Sequence, residues 1–450
     1  MKKMFFIAMA LLLMGLPLFA AVQNIRVSGD ISVHGISRWG YERPYPGVDR
    51  LAGVDVSTEG RNWYQSTARV GAYVDLTDNV EGVIRLLNRR DWGGVEERTI
   101  DIELDLAYVT LKEVLYSPLT LKMGRQNIVL GEGFVLGQNR IETALHRIPD
   151  PRGEVGVGGI DRDAATVDVD DDVSSRKAFD AITAVLLYEP WTIDLILAKL
   201  AERPERDSKD ADLYGVNVGY KFDEYDAEVE GYLLNVHNRL ERPLFRENIA
   251  VAGIRGSTKP ADGWLLKGEY ARQFGTTERV GMRDLDRRAF ATNVGAEYTF
   301  EGEYTPKLGA ALAWFSGDNN PRDHKIGSWN PFFEDQTWGS IVDYIYGNSN
   351  LKVAKIGGSI IPIENITLGA SLYHFQADET APGVNKRIGE EVNLIVRYAY
   401  TEDVTFRVLG AWFIPDDYVR DVYAAEFRVP RARVSTTDAF QLVGGVTLVF

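Results

Sequence analysis

The sequence predicts an all-β protein: a transmembrane antiparallel up-and-down β-barrel of 18 strands that follows a cleaved signal peptide. Three observations predict it. The chain opens with a short apolar segment typical of export. Amphipathic segments with a period of two recur along the remainder, and short turns alternate with long loops between them.

The first 20 residues form the predicted signal peptide. Two lysines precede an uncharged apolar run from Met4 to Leu16, and a small residue, Ala20, follows shortly after. This is the arrangement of a secretory leader. The run is shorter than the about 20 apolar residues that span a bilayer as a helix. We expect cleavage after Ala20 or Ala21 and assign residues 21–450 to one domain, the barrel.

Composition narrows the class of protein further. The two lysines of the leader leave with it, so the formal net charge falls from −15 to −17. An acidic chain is a poor partner for nucleic acid. Cysteine is absent, so an exported fold of this length must be held by its core or by an extensive hydrogen-bonded sheet. The sequence indicates no cofactor and no metal centre.

The amphipathic segments have one apolar and one polar face. In "DIELDLAYVTL" this period places Leu104, Leu106 and Tyr108 on one face, opposite Glu103 and Asp105. The segments "WYQSTARVGAYVDL" and "EEVNLIVRYAYT" show the same pattern. Segments of this kind, 18 in all, have their centres near residues 31, 69, 84, 106, 123, 182, 195, 217, 231, 252, 268, 294, 311, 355, 370, 395, 409 and 444.

The connections favour a barrel over other β folds. Every second connection is a short polar turn, such as "TDN", "EP" or "TED", and those between are long, the longest being about residues 129–176 and 317–350. A soluble β-sandwich also has amphipathic strands, but nothing in it requires this alternation. Short periplasmic turns and long extracellular loops are typical of the outer membrane of a Gram-negative-type bacterium. We therefore expect contact with outer-membrane lipid and lipopolysaccharide.

Aromatic residues at segment ends are predicted to form interface girdles. They are Trp63, Tyr108, Trp191, Tyr220, Phe222, Trp264, Phe300, Tyr304, Tyr400 and Trp412. A barrel of 18 strands is too wide for its own side chains to fill. Only "AVQN" separates the cleavage site from the first segment, so we expect constriction by inward-folded loops and inward side chains, not by a plug domain.

Three stretches carry a family resemblance. "LAYVTLKEVLYSPLTLKMGRQNIVLGEGFVLG" resembles a strand, turn and strand of the alginate-export family of outer-membrane porins, in which a Gly-Arg-Gln motif leads into a long loop. "FSGDNNPRDHKIGSWNPFFEDQTWG", followed by "NSNL", is similar to a loop of that family, and "IGEEVNLIVRYAYTEDVTFRVLGAWFIP" to its closing strands. The resemblance begins near residue 99 and keeps the order of these stretches.

The resemblance implies a monomeric 18-stranded barrel that passes an anionic polysaccharide by diffusion through an arginine-lined constriction. Guanidinium groups bind uronate carboxylates bidentately and stay ionised. Inward positions by period two supply the candidate constriction residues Arg69, Arg85, Arg89, Lys122, Arg397 and Arg407, with Arg26 and Lys267 beside them. Arg125, at a strand end, and Arg152, in the long loop, join this set if that loop folds inward.

The sequence leaves other functions open. Lumen faces carry charge because they are wet, and acidic residues are as frequent there as basic ones, so a general or small-carboxylate-specific porin is the alternative function. An outer-membrane enzyme is disfavoured, because the five histidines lie apart without a recognisable nucleophile or metal spacing. Further expected partners are the barrel assembly machinery and a periplasmic secretion partner.

The acidic stretch "DRDAATVDVDDDVSS" matches a calcium-binding loop only in part. Asp168, Asp170 and Asp172 have the first ligand spacings, but Val173 stands where glycine is needed and Phe179 where the bidentate glutamate belongs. We interpret it as a solvated acidic loop, bridged to lipopolysaccharide by divalent cations.

Overall fold

The computed structural model describes residues 22–40, 47–56, 60–92, 102–137, 178–201, 211–242, 245–279, 284–320 and 322–450. The predicted signal peptide, Arg152 and the acidic stretch around residue 170 lie outside these ranges. They stay predictions.

Eighteen long strands build the barrel. They are β1 (Asn24–Trp39), β4 (Arg61–Thr77), β5 (Val80–Trp92), β6 (Glu103–Leu111), β7 (Leu119–Gln126), β8 (Phe179–Tyr188), β9 (Trp191–Ala201), β10 (Ala211–Phe222), β11 (Ala227–Arg242), β12 (Phe245–Thr258), β13 (Trp264–Arg279), β14 (Leu285–Thr299), β15 (Lys307–Phe315), β17 (Leu351–Ile363), β18 (Ile366–Ala377), β19 (Arg387–Ala399), β20 (Val404–Pro415) and β22 (Ala439–Val449). The short strands β2 (Val48–Leu51), β3 (Val54–Asp55), β16 (Lys325–Ile326) and β21 (Ser435–Thr436) and the helices α1 (Val342–Tyr346) and α2 (Asp417–Glu426) lie in the loops.

Each barrel strand pairs antiparallel with its neighbours in the chain, and β22 pairs with β1 to close the sheet. The closing register runs from Asp30 opposite Val449 to Trp39 opposite Phe440. All the predicted strand centres fall inside these strands, so the predicted barrel is confirmed. Short turns connect strands at one end, which we call the turn end, and long connections lie at the other, the loop end. Closure leaves no sheet edge unpaired.

The outer surface of the barrel is apolar and has aromatic side chains near both ends. At the turn end Trp264 packs on Tyr298 with ring centroids 5.0 Å apart. At the loop end Phe290 meets Trp314 edge to face at 4.8 Å. Such rings are typical of membrane interfaces. Two predicted girdle residues do not belong to them, because Trp63 is buried on the inner face and Tyr108 faces the lumen.

Strand β6 departs from the predicted alternation. The pairing of β5 with β6 shifts between Arg85 and Leu86, which adds one residue to β6 at Asp105. As a result Leu106 packs inside against Val83, whereas Leu104 is exposed on the outer face. The expectation that Leu104 and Leu106 share a face is therefore wrong. A bulge reverses the facing of every residue beyond it.

Loops at the loop end are tied to one another. Strands β2, β3 and β21 form a small sheet that joins the first and last long loops. Helix α2 begins after Asp416, whose side chain caps it, and its Tyr418 packs edge to face on Tyr346 of α1. No helix in the described ranges has the length and apolar character needed to cross a membrane.

Candidate functional site

Two loop segments fold into the barrel at the loop end and form an inner partition. Inner segment 1 is residues 127–137 and inner segment 2 is residues 316–350, of which 321 lies outside the described residues. An isolated β-bridge pairs Leu136 with Phe333. Phe134 stacks on Trp329 with ring centroids 6.3 Å apart, and both rings are buried. The partition therefore has an apolar core of its own.

Strands β13 and β14 hold one side of the partition through buried polar groups. The Gln273 carboxamide donates to the Asn330 carbonyl at 2.6 Å and accepts from the Asn330 N–H at 3.0 Å. Arg287 donates to the Ser328 carbonyl and to the Glu247 carboxylate, both at 3.1 Å. Because these groups are buried, losing a partner is costly, and the bonds fix inner segment 2 in place.

Strand β19 holds the other side of the partition. The buried Glu391 carboxylate accepts hydrogen bonds from the backbone N–H groups of Ser340 at 2.5 Å, Ile341 at 3.2 Å and Val342 at 2.9 Å. These N–H groups lie at the start of α1, where a helix leaves its first donors unpaired. Inner segment 2 is thus attached to the barrel wall at two places, four to five strands apart.

Arg38 adds a third attachment, from β1. Its guanidinium lies over the rings of Trp63 and Tyr344, 5.2 and 4.7 Å from their centroids, and its Nε donates to Gln441 at 2.8 Å. Arg38 is fully buried. A planar guanidinium suits this position because it stacks on aromatic rings and forms hydrogen bonds in its own plane.

The partition packs mainly against one part of the barrel. Apolar inward side chains of β8 to β18 at the loop end are buried in the same cluster as the partition, among them Phe179, Leu213, Val251, Ala291, Val353 and Phe375. Strands β20 and β22 add Ala411, Phe413 and Ala439 to this cluster. The inward faces of β19, β20, β22, β1, β4 and β5 carry polar and charged groups, and we call them the polar wall. On the turn-end side of Arg38 and Glu391, the polar wall faces the lumen.

Arg69 and Arg85 lie side by side on the polar wall and share a carboxylate. Arg69 contacts Asp30 at 3.0 Å and Asp105 at 3.8 Å. Arg85 donates to the same Asp105 at 2.5 Å. The arginine side chains are about one-fifth exposed and Asp105 is nearly buried. The pair therefore presents guanidinium edges to the lumen with its charge partly balanced.

Arg397 and Arg407 differ from that pair. They lie directly opposite each other on β19 and β20, and both are exposed. Neither has an ion pair or hydrogen bond within the described part of the chain. Next to Arg407 on its other side is Gly445, whose further neighbour is His34. A Cβ at Gly445 would lie 2.3 Å from the His34 ring, so glycine lets this imidazole lie across β22 beside Arg407.

The remaining lumen cations occupy other environments. Arg89 points inward but is 2% exposed, so it lies within the wall instead of on its surface. Lys122 is 4.0 Å from the centre of the Tyr108 ring, and Arg26 is 6.0 Å from that of Tyr73. Both lie in the turn-end half of the barrel, Arg26 on β1 of the polar wall and Lys122 on β7, outside it.

Lys267 belongs to the other side of the lumen. It pairs with Glu132 of inner segment 1 at 3.0 Å and with Glu297 at 3.5 Å. This ion pair ties inner segment 1 to β13, so the charge of Lys267 is already balanced by two carboxylates.

Arg125 does not line the lumen. Its cross-strand partner is Asp180, which it contacts at 3.3 Å, and both lie on the face that carries exposed Ile182. The inward position at this end of β7 belongs to Gln126, which is buried and bonded to Thr183. The prediction that Arg125 joins the constriction is therefore wrong, because alternation turns it outward. Arg152 lies outside the described residues.

Sequence reasoning missed Arg38, Arg255 and Arg287. All three occupy inward positions by period two, so the alternation that selected Arg69 would have found them. Arg255 pairs with Glu230 at 2.6 Å, and Arg287 with Glu247 at 3.1 Å. Their roles could not be read from the pattern because each depends on a carboxylate or a loop that is distant in the chain.

The closed barrel, its apolar girdled surface and its partitioned polar lumen define the chain as an outer-membrane channel of the porin class. A family model for alginate export matches residues 53–426. The chain therefore belongs to the alginate export family, as its motifs predicted. It is an outer-membrane β-barrel transport protein of a Gram-negative bacterium. No individual curated protein matches the chain.

Solved structures of similar fold share little sequence with this chain. Acinetobacter baumannii OccAB4 is 11% identical, with a TM-score of 0.53 over 96% of this chain and 99% of that one. Pseudomonas aeruginosa OccK2 in complex with glucuronate is 12% identical, with a TM-score of 0.50 over 94% and 98%. Pseudomonas aeruginosa OpdK with vanillate is 11% identical, with a TM-score of 0.52 over 94% and 98%. At these identities the likeness concerns the fold.

Proposed function

We propose that the channel passes an anionic polysaccharide, or another anionic solute, by diffusion along the polar wall. The solute carboxylates would contact Arg69, Arg85, Arg397 and Arg407 in succession, with Lys122 nearer the turn end. The partition supports this route. It packs mainly against β8 to β18, and although Glu391 and Arg38 of the polar wall also hold it, these four arginines keep part of their side chains exposed.

The opposed pair Arg397 and Arg407 carries the proposal. Like charges directly opposite on neighbouring strands destabilise a sheet by on the order of 0.2–1 kcal/mol. No carboxylate in the described ranges relieves this repulsion. A carboxylate in transit would do so, since each guanidinium can bind it with two parallel hydrogen bonds. Binding that is favourable but open to solvent allows both entry and release.

The test is ion selectivity in planar bilayers with the Arg397→Gln/Arg407→Gln variant. We expect its reversal potential in a salt gradient to move towards cation selectivity, and the concentration of oligouronate that half-blocks conductance to rise about tenfold. Lys199→Gln/Lys352→Gln is the matched control, because it removes the same charge from the outer face. Unchanged selectivity and block in the lumen variant would refute the proposal.

A small-carboxylate porin is the second candidate. Two porins of the same fold were solved with carboxylates, glucuronate and vanillate. The partition, fixed on both sides, also narrows the loop end. The two functions differ in the length of solute that passes. Liposome swelling with glucuronate and with oligouronates of increasing length separates them: uptake that ends after one or two residues supports the porin, and uptake of long chains supports polysaccharide passage.

A further inference from the structure

The outer surface of the barrel carries a basic patch at the loop end. Arg272 on β13 and Arg288 on β14 both face outward and are exposed. Arg288 contacts the exposed carboxylate of Asp286 at 3.4 Å, so Arg272 supplies the unbalanced charge of the patch. They lie diagonally across the strand pair, because Arg272 is opposite Phe290 and Arg288 is opposite Phe274. With Asn248 of β12, next to β13, these arginines form what we call the rim patch.

Arg272 is unusual in its surroundings. The next outward residues on its strand are Tyr270 and Phe274, both exposed, and its partner across β14 is Phe290. It has no ion pair or hydrogen bond among the residues that the structure describes. Two other outward cations at the loop end are balanced: Lys199 pairs with Asp212 at 3.1 Å and Lys352 with Asp378 at 2.8 Å.

The depth of Arg272 places it at the headgroups of the outer leaflet. Trp264 marks the turn-end interface on the same strand and face. Eight residues separate it from Arg272, which corresponds to about 20 Å along the membrane normal at usual strand rise and tilt. The apolar band of such barrels is about 25 Å tall. The long arginine side chain therefore reaches the interface, where an outward cation costs little.

Beside Arg272 the outer surface of β12 carries small side chains and, towards the loop end, a polar one. On β12 the outward residues next to it are Ala250 and Ala252, which leave a trough between larger side chains. On the loop-end side of the trough, the exposed Asn248 amide accepts a hydrogen bond from Asn235 at 2.9 Å. An acyl chain could lie along the alanines while a phosphate contacts Arg272 and Arg288.

We infer that the rim patch binds a phosphate of a lipopolysaccharide headgroup in the outer leaflet. The lipid is chosen by chemistry: its phosphates are anionic and lie at this depth, and guanidinium forms bidentate bonds with phosphate. Aromatic side chains around the arginines suit the boundary between acyl chains and sugar. The site would hold one lipid beside strands β12 to β14.

Lipid binding to the purified barrel in detergent tests this inference. Native mass spectrometry and thermal unfolding are followed during titration with bis-phosphorylated lipid A, dephosphorylated lipid A and inorganic phosphate. We expect only the phosphorylated lipid to bind and to raise the unfolding temperature. Its apparent affinity should fall about tenfold or more in Arg272→Gln/Arg288→Gln and change little in the control Lys199→Gln.

A charge-retaining variant and a folding assay complete the test. Arg272→Lys/Arg288→Lys retains charge and should keep part of the binding, which separates a lost contact from a folding defect. Heat-modifiable migration on gels reports folding of each variant. Equal affinity in the glutamine variant, equal binding of dephosphorylated lipid A, or the same stabilisation by inorganic phosphate would each overturn the inference.

Discussion

Val342 and Glu391 are joined by a hydrogen bond of 2.9 Å from the Val342 backbone N–H to the Glu391 carboxylate, which attaches inner segment 2 to strand β19. The same carboxylate also accepts from Ser340 and Ile341. One side chain of the barrel wall therefore fixes the start of α1 and, with it, the position of the partition.

Replacing this carboxylate should loosen the partition. Glu391→Ala leaves three N–H groups, two of them buried, without an acceptor, and each unsatisfied buried group costs about 1–3 kcal/mol. We expect larger and noisier single-channel conductance, measured in planar bilayers. Glu391→Gln, which keeps one acceptor oxygen, should have a smaller effect. Glu390→Ala is the control, because Glu390 bonds to His374 away from the partition. A quiet, unchanged channel in Glu391→Ala would contradict this role.

Gly445 should not tolerate a side chain. In Gly445→Ala the new Cβ would lie 2.3 Å from the His34 ring and 2.7 Å from the Val33 carbonyl, so the seam between β22 and β1 must shift. We expect a loss of about 1–3 kcal/mol in the free energy of unfolding, measured by urea titration of the refolded barrel. Gly444→Ala, with no atom within 4 Å of its Cβ, should be near neutral. Equal stability of the two variants would argue against the contact.

The buried ion pair on the far side of the partition should be sensitive to loss of one partner. Arg287 and Glu247 are 1% and 6% exposed. Arg287→Ala leaves a buried carboxylate without its cation, at a cost of about 3–5 kcal/mol. The free energy of unfolding measures it. Arg288→Ala removes an exposed arginine paired with Asp286 and should cost less than about 1 kcal/mol. Similar losses in both variants would contradict the assigned burial.

Acid should loosen the contact between helix α2 and the following part of the last long loop. A hydrogen bond from Arg431, together with the nearby Arg420 and Arg387, holds the pKa of Asp417 below its usual value. A depressed pKa stabilises the folded state above the unfolded pKa of about 3.9, and this contribution is lost as pH falls through the folded value. The protection of α2 amides against hydrogen exchange, corrected for intrinsic rates, should therefore fall at low pH.

The Asp417→Asn variant tests this assignment. It removes the titrating group, so its α2 exchange, corrected for intrinsic rates, should already be fast at pH 7 and depend little on pH. Asp226→Asn, which alters an exposed ion pair with Lys259 at the turn end, is the control. An unchanged pH profile in Asp417→Asn would assign the acid response to another group.

The architecture could be predicted from the sequence because a barrel strand must show lipid one face and water the other. Every strand centre was found this way, as were the inward positions of Arg69, Arg85, Arg397 and Arg407. The period of two failed at the β-bulge in β6, where the extra residue Asp105 turns Leu106 inward. Arg125 was included for its place at a strand end before the long loop, not by period two, which turns its neighbour Gln126 inward.

The width of the barrel led us to expect loops that fold inward, but the pattern does not show which residues form the partition. Phe134, Trp329 and Phe333 lie in loops, where no periodicity shows which way a side chain points, and their partners are distant in the chain. One signal was present: aromatic clusters such as "NPFF" are costly in a loop exposed to water. Such residues in a long extracellular loop indicate that the loop folds into the barrel.

The closing pair of strands has a consequence for the order of assembly. His34 and Arg407 become neighbours only through β22, which pairs with β20 on one side and with β1 on the other. A barrel paired as far as β20 has an incomplete polar wall and an open gap. If the proposed route along the polar wall is right, selectivity arises only with the final pairing step. An unfinished barrel would then leak without discrimination, and a substitution that hinders closure would impair both assembly and choice of solute.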